Sequence, residues 1–390
     1  MLPKIHVSKK YFDKLDLSKI QSPSFVIDLK IIRENLSILK KIKTKTGVKI
    51  LHALKAFSLK KTGSLISKHL DGTCASGLNE AKLGKKFFPG MVSTYSPAFK
   101  KDEIEEVLRF SNHIIFNSIN QINKFSNQLE SNKHISVGIR INPMYSEVKT
   151  KKYNTSGYQS RLGIHLNHLK DLNFNNIDGL HFHSLCEQNF STLERTWAKI
   201  FPRIKPYLKN LKWINLGGGH HITRNDYDIN GLINFLNDIK LKTKCQIYLE
   251  PGEAVVFQSG IIVGEVLDLI KSSNAKTPHI AITDISATCH MPDVIEAPYK
   301  PILLNEPLEG KEVMIGGPSC LAGDIFGKYK FKTLPNLGDK IIFLDQAHYS
   351  LVKTNFFNGI KHPDIVLWDS QKDTFDIVKS FSYSDFEMRV

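Results

Sequence analysis

The sequence predicts an α/β fold: a (β/α)8 TIM-like barrel followed by a mostly antiparallel β domain. Short apolar runs alternate with amphipathic segments over about the first 250 residues, the length scale of such a barrel. After Glu253 the alternation stops, and β-rich stretches with Gly and Pro turns take over. Strand–helix alternation implies parallel pairing with the helices outside. The barrel is expected over residues 23–253, and residues 254–390, joined by 1–22, are expected to form the second domain.

The barrel strands are expected at Ser24–Asp28, Val48–Leu54, His69–Ala75, Met91–Ser96, His113–Asn117, Ile135–Asn142, Gly179–Ser184, Trp213–Leu216 and Gln246–Glu250. Between them, Leu29–Ile42, Gly77–Lys86, Lys101–Ser111, Ser118–Leu129, Thr192–Leu208 and Asp228–Leu241 repeat apolar residues at helical spacing. Ser118 is the expected N-cap of its helix. Pro143–Gly157 is polar and reads as a lid or a disordered loop. Farther on, Val255–Ile270, Pro278–Ala287, Lys311–Gly316 and Lys340–Leu344 read as strands.

The composition narrows the class. No stretch approaches the roughly 18 unbroken apolar residues of a membrane span, and the first residues carry no apolar leader. Five cysteines, an odd number without a C-x-x-C pair, argue against a disulfide framework or a structural zinc. A cytoplasmic protein without a metal is expected. The net charge of +15 is spread along the chain with no aromatic-interleaved basic block, so neither nucleic acid nor membrane is expected as a partner.

Chemistry gathers where barrel enzymes carry it, on loops after strands. Lys55 ends an apolar strand. A desolvated amine there is a nucleophile able to form a Schiff base with an aldehyde cofactor, although a solvated lysine at a helix start reads alike. His181 and His183 flank Phe182 and share one strand face. His183 could stack on a flat ring, and His181 reads as a hydrogen-bonded core histidine. Gly217, Gly218 and Gly219 would let backbone N–H groups approach a phosphate. Glu250 could hold a pyridine nitrogen protonated, which suits carbanion chemistry on pyridoxal 5'-phosphate (PLP).

These pieces resemble the fold-type III PLP-dependent decarboxylases, the relatives of ornithine, arginine and diaminopimelate decarboxylase. The resemblance rests on His52-Ala53-Leu54-Lys55-Ala56, Gly179 to His183, Gly217 to Gly219 and Glu250-Pro251-Gly252. Gly317-Pro318-Ser319-Cys320 with Asp324, and Ala347-His348-Tyr349, extend it. Thr73 to Ser76, His183 to Glu187 and His290 to Glu296 are similar to the carboxynorspermidine/carboxyspermidine branch. The resemblance implies that Lys55 carries the cofactor, His183 stacks on it and Glu250 pairs with its nitrogen. It implies that Gly217, Gly218, Gly219 and Tyr349 hold the phosphate and that Arg140 is a cofactor-side arginine. It also implies a homodimer in which Cys320 comes from the other subunit to protonate or position the intermediate, with Asp324 nearby.

Departures from the pattern bear on the substrate. Diaminopimelate decarboxylases carry arginine where this chain has Glu253, and again in the segment that here holds Glu296. Acidic residues suit a cationic tail in place of a distal carboxylate. Glu187, Glu253, Asp284, Asp293, Glu296 and Asp324 are therefore the expected substrate-side carboxylates, with Glu253 and Glu296 foremost. Thr73 and Cys186 stand where the ornithine enzymes have an aspartate and a phosphate-binding serine. The expected reaction is decarboxylation of carboxynorspermidine or carboxyspermidine to norspermidine or spermidine. The alternatives are decarboxylation of another basic amino acid, of ornithine, lysine or diaminopimelate type, and a non-catalytic PLP carrier.

Overall fold

A computed structural model describes residues 12–274 and 277–390. The described residues divide into two compact units, one of residues 34–255 and one of 12–33 with those after 255. The first eleven residues, expected to join the second domain, lie outside the described residues.

Residues 34–255 build the barrel. Its parallel strands are β2 (Lys49–Ala53), β3 (Gly72–Ala75), β4 (Met91–Tyr95), β5 (His113–Phe116), β6 (Ser136–Asn142), β8 (Gly179–His181), β9 (Trp213–Asn215) and β10 (Gln246–Leu249). A two-residue strand, β7 (Ile164–His165), adds to β6 outside the ring. Each neighbour pairs in parallel, and β10 closes on β2 with Tyr248 opposite Lys49.

The closure depends on a large plug. The Trp213 ring stacks on His113 with centroids 4.7 Å apart, and its Nε1 donates to Ser136 Oγ at 2.8 Å. A Cβ at Gly179 would stand 2.0 Å from that ring, and one at Gly138 2.3 Å. Glycine on β6 and β8 thus makes room for indole on β9. Leu51, Ile115 and Tyr248 complete this layer.

The helices follow the apolar periodicity with shifted ends. Leu78–Phe87, Phe190–Ile204 and Ile229–Thr243 lie over the expected segments. Ser118 caps its helix by accepting Gln121 N–H at 3.3 Å. That helix breaks at buried Phe125 into Ile119–Lys124 and Ser126–Ser131. The helix Phe190–Ile204 ends earlier than its pattern suggests. Lys205–Asn210 is a 3-10 turn that carries Pro206 at its start, and proline has no N–H to continue the α-helical ladder.

Pro143–Gly157 is pinned at several points. Met144 N–H donates to Asn142 Oδ1, Thr155 and Ser156 hydroxyls donate to the His183 carbonyl, and Glu147 pairs with Arg195. Polar side chains in this loop thus find buried or paired partners.

The second unit is one eight-stranded sheet among the described residues. It contains β1 (Ser24–Asp28), β11 (Gly260–Ile270), β12 (His279–Thr283), β13 (Lys311–Gly316), β14 (Ile325–Phe331), β15 (Lys340–Leu344), β16 (Asp364–Asp369) and β17 (Thr374–Lys379). The pairs β1–β16 and β12–β13 are parallel and the rest antiparallel. Two apolar clusters support it, one around Phe326, Tyr329 and Phe343 and one around Val26, Ile261 and Trp368.

One strand expected in the barrel belongs here. Ser24–Asp28 pairs with β11 and β16, and every residue in it is buried. A strand covered on both faces has no alternation, so its sequence does not say which sheet it joins. The boundary accordingly falls near residue 34 instead of 23. Among the described residues, no helix is long and apolar enough to cross a membrane.

Candidate active site

Lys55 emerges just beyond β2, where the backbone is held on both sides. Ala53 N–H donates to Pro251 O at 3.0 Å, and Leu54 N–H donates to Cys74 O at 3.1 Å. The loop after β10 and the strand β3 thus fix where the amine leaves the barrel. Lys55 is exposed, in a turn just past the strand, unlike the desolvated amine expected from its apolar run. Its side chain shares a pocket with Tyr95, Arg140, His181, His183 and Glu250.

Glu250 is the most constrained acid in this pocket. Its Oε2 lies 3.1 Å from His181 Nε2, and its Oε1 accepts Asn215 Nδ2–H at 2.6 Å. Burial alone would raise its pKa, but His181, Asn215 and the Lys55 charge outweigh it and hold the carboxyl below the ordinary glutamate range. Burial lowers the pKa of His181 despite the opposing pull of Glu250. The ring therefore binds as a neutral donor to an anion, a strong class of hydrogen bond.

His183 follows β8. Its Nδ1 accepts Gly218 N–H at 3.0 Å, so that nitrogen carries no proton and the ring is the Nε2–H tautomer. Burial, then the charges of Lys55 and Arg140, push its pKa well below the usual histidine value. Its carbonyl accepts a hydrogen bond from Arg140 at 3.1 Å. The buried Arg140 guanidinium sits 4.6 Å from the centre of the Tyr95 ring.

The loop Gly217–Gly219 admits no side chain. Gly217 and Gly219 have φ of 70° and 84°, and a Cβ at Gly219 would stand 1.9 Å from Leu185 O. At Gly218 a Cβ would meet Glu250 O at 2.1 Å. Such a bare backbone turn suits an anion. With an amine, a neutral histidine ring and an ionised carboxylate in one pocket, the donor set fits PLP. Thr73 packs its hydroxyl toward Gly84, whereas its neighbour Cys74 lines the pocket. Burial, with Glu250 nearby, raises the Cys74 pKa well above the ordinary thiol value, so it stays neutral.

Two expected substrate-side acids converge in the barrel unit. Ligand atoms of Glu187, His221 and Glu253 lie within 4.8 Å of one another. His221 Nε2 is 3.3 Å from Glu253 Oε1. Burial pulls the His221 pKa down, but Glu253 and Glu187 reverse the shift and leave it raised.

The remaining candidates sit in the sheet unit. Lys353 Nζ binds both Asp293, at 2.6 Å, and Glu296, at 2.9 Å. Asp284 Oδ1 accepts Glu265 N–H at 2.8 Å. Buried Asp324 accepts the Ser286 hydroxyl at 2.9 Å, Thr288 N–H at 3.1 Å and Ser319 N–H at 3.2 Å, so it staples a turn together. Cys320 is exposed, with its N–H donating to Asn358 Oδ1 at 2.8 Å. Tyr349 has φ of 51°, a backbone conformation rare for tyrosine.

Residue types alone do not single out Asn215 or Tyr95, and they mark His181 only through its alternation with His183. Asn215 precedes the glycine loop on β9 and contacts Glu250 only through the pairing of β9 with β10.

Comparisons with known proteins follow the same direction. The pyridoxal-dependent decarboxylase, C-terminal sheet domain family pattern matches residues 24–347. A carboxynorspermidine/carboxyspermidine decarboxylase of Campylobacter jejuni is 39% identical over 95% of this chain and 99% of its own. A carboxyaminopropylagmatine decarboxylase of Synechocystis is 35% identical, covering 96% of each. The crystal structure of Campylobacter jejuni carboxynorspermidine decarboxylase complexed with norspermidine superposes with a TM-score of 0.88, at 37% identity, over 95% of this chain and 100% of that one.

Proposed function

The chain belongs to the pyridoxal-dependent decarboxylase family, and from that premise we propose that it converts carboxynorspermidine or carboxyspermidine to norspermidine or spermidine and CO2. The observation that carries the reading is Glu250, held ionised in a pocket that also contains the Lys55 amine. Bound PLP supplies the electron sink for the pair released when the carboxylate leaves as CO2.

The chain's own residues prepare the site for that chemistry. Lys55 provides the amine that carries the cofactor. Glu250 keeps a proton on the pyridine nitrogen. His183, neutral and fixed by Gly218, offers a flat ring face, and Arg140 holds its backbone carbonyl. Gly217, Gly218 and Gly219 offer backbone donors for the phosphate. Cys320 of a second copy would protonate or position the reacting carbon, and the working unit would then be a homodimer. The free cysteines suit a reducing cytoplasm.

Glu187 and Glu253 are the acids we assign to the substrate's protonated amines. Both follow barrel strands and lie together. Paired carboxylates attract a polyamine tail and disfavour a distal carboxylate. Asp293 and Glu296 already share Lys353 as a counter-ion, which lowers their rank.

A second reading concerns the tail alone. The 35% identity to a carboxyaminopropylagmatine decarboxylase points to a substrate ending in a guanidinium. Purified protein should be assayed for CO2 release from carboxynorspermidine, carboxyspermidine, carboxyaminopropylagmatine, diaminopimelate, ornithine and lysine. The proposal expects the highest kcat/KM on the first two. A preference for carboxyaminopropylagmatine selects the second reading, and a preference for diaminopimelate overturns both.

A further inference from the structure

We propose that His181 is a positioning residue that holds Glu250 in the orientation, and as the anion, through which the carboxylate keeps a proton on the pyridine nitrogen. The inference rests on the reading of Glu250 as that nitrogen's partner and adds the residue on which Glu250 itself depends. His181 is 2% exposed, and its only hydrogen bond among the described residues runs from Nε2 to Glu250 Oε2.

The proton in that bond can be assigned. Ionised Glu250 is acceptor-only, so His181 Nε2 carries the hydrogen. Nδ1 is buried and finds no partner among the described residues. A second proton there would add a charge and a donor with nothing to receive it. Of the charged groups facing the ring, Arg140 from β6 and Lys55 from the loop after β2 oppose that proton as well, and Glu250 favours it without overcoming burial. Tyr95 from β4 stacks on the imidazole with centroids 5.6 Å apart and planes 22° apart, and Arg140 rests against the same Tyr95 ring. The ring is thereby fixed in tilt and in tautomer.

Glu250 is consequently gripped at both oxygens, by His181 at Oε2 and by Asn215 at Oε1. Each carboxylate oxygen has a further lone pair, which remains for the pocket. Loss of His181 Nε2–H would leave burial less opposed and raise the Glu250 pKa. A neutral Glu250 no longer holds the nitrogen proton, and the electron sink weakens.

The test uses the holoenzyme with His181→Leu and His181→Gln, the carboxamide of Gln being able to replace the Nε2–H donor. Three quantities are measured: kcat and KM, the pH titration of the bound chromophore's absorption, and the PLP dissociation constant. His181→Leu should lose about 10- to 100-fold in kcat, with KM changed less than about threefold and the chromophore titration displaced. His181→Gln should recover at least about tenfold of that loss. Wild-type kcat and titration in His181→Leu would overturn the proposal. So would a His181→Gln protein as impaired as the leucine variant despite a wild-type melting temperature. If leucine prevents folding, His181→Phe, a ring without the donor, puts the same question. Wild-type protein that yields no borohydride-trapped adduct on Lys55 would instead overturn the cofactor assignment.

Discussion

Arg195 grips Glu147 with two nitrogens, Nε to Oε1 at 2.7 Å and Nη2 to Oε2 at 2.6 Å. The pair ties the loop after β6 to the helix Phe190–Ile204, while Thr155 and Ser156 of the same loop brace the His183 carbonyl. Arg195→Ala should therefore speed amide exchange across residues 143–157 and weaken PLP retention by about threefold to tenfold. Hydrogen exchange by mass spectrometry checks it, and unchanged protection in that segment would refute the anchoring role. The Arg195 hydrogen bonds depress the Glu147 pKa to about 2. The anchor is thus complete above the ordinary glutamate value and is lost only as pH falls toward 2.

Replacing Lys55 with Ala should remove the borohydride-trapped PLP adduct and lower kcat by roughly a thousandfold or more. Mass spectrometry of the reduced protein locates the adduct. Retention of an adduct elsewhere together with full turnover would dismiss Lys55.

Glu253→Gln and Glu187→Gln should each raise KM for carboxynorspermidine by about tenfold with little change in kcat, since both act on the tail and not on the reacting carbon. Asp293→Asn, in contrast, should change KM by less than about threefold, because Lys353 already occupies that carboxylate. Steady-state kinetics decide between them, and the reverse ordering would move the tail site to the sheet unit.

Gly219→Ala combines a left-handed backbone with a carbonyl in the way. It should cost about 2–4 kcal/mol of stability and abolish tight PLP binding. A thermal melt and a cofactor titration measure the two effects. A variant with wild-type values would show that the loop relaxes freely.

Three histidines of the barrel unit make stability pH-dependent. Burial lowers His52, His113 and His220 to about 4. Their depressed folded pKa means that the unfolded chain takes up protons first as pH falls below about 6.5. Stability should fall by about 1.4 kcal/mol per pH unit for each of these three histidines as pH drops from about 6.5 to 4. Urea midpoints at about pH 7.5 and about pH 5, either side of the upper edge of that window, test this, and equal midpoints would refute it.

How far the sequence can be read depends on the kind of signal. Leu29 to Ile42 and Asp228 to Leu241 advertise helices because one face is apolar and the other is not. Lys55, His183 and Gly217–Gly219 are legible because their residue types are unusual at strand ends. Ser24–Asp28 is assigned to the wrong sheet because a doubly covered strand has no pattern to tell one sheet from another. His181 reads as a core histidine because its partner, Glu250, is 69 residues away and meets it only in the closed ring. Glu296 looks as available as Glu253, since nothing near it in sequence announces Lys353.

The indole of Trp213, seated over Gly138 and Gly179, stoppers the barrel at one end. The pocket of Lys55 and Glu250 lies past the other ends of these strands, so the way in for a polycation is also the way out for its shortened product and a molecule of gas.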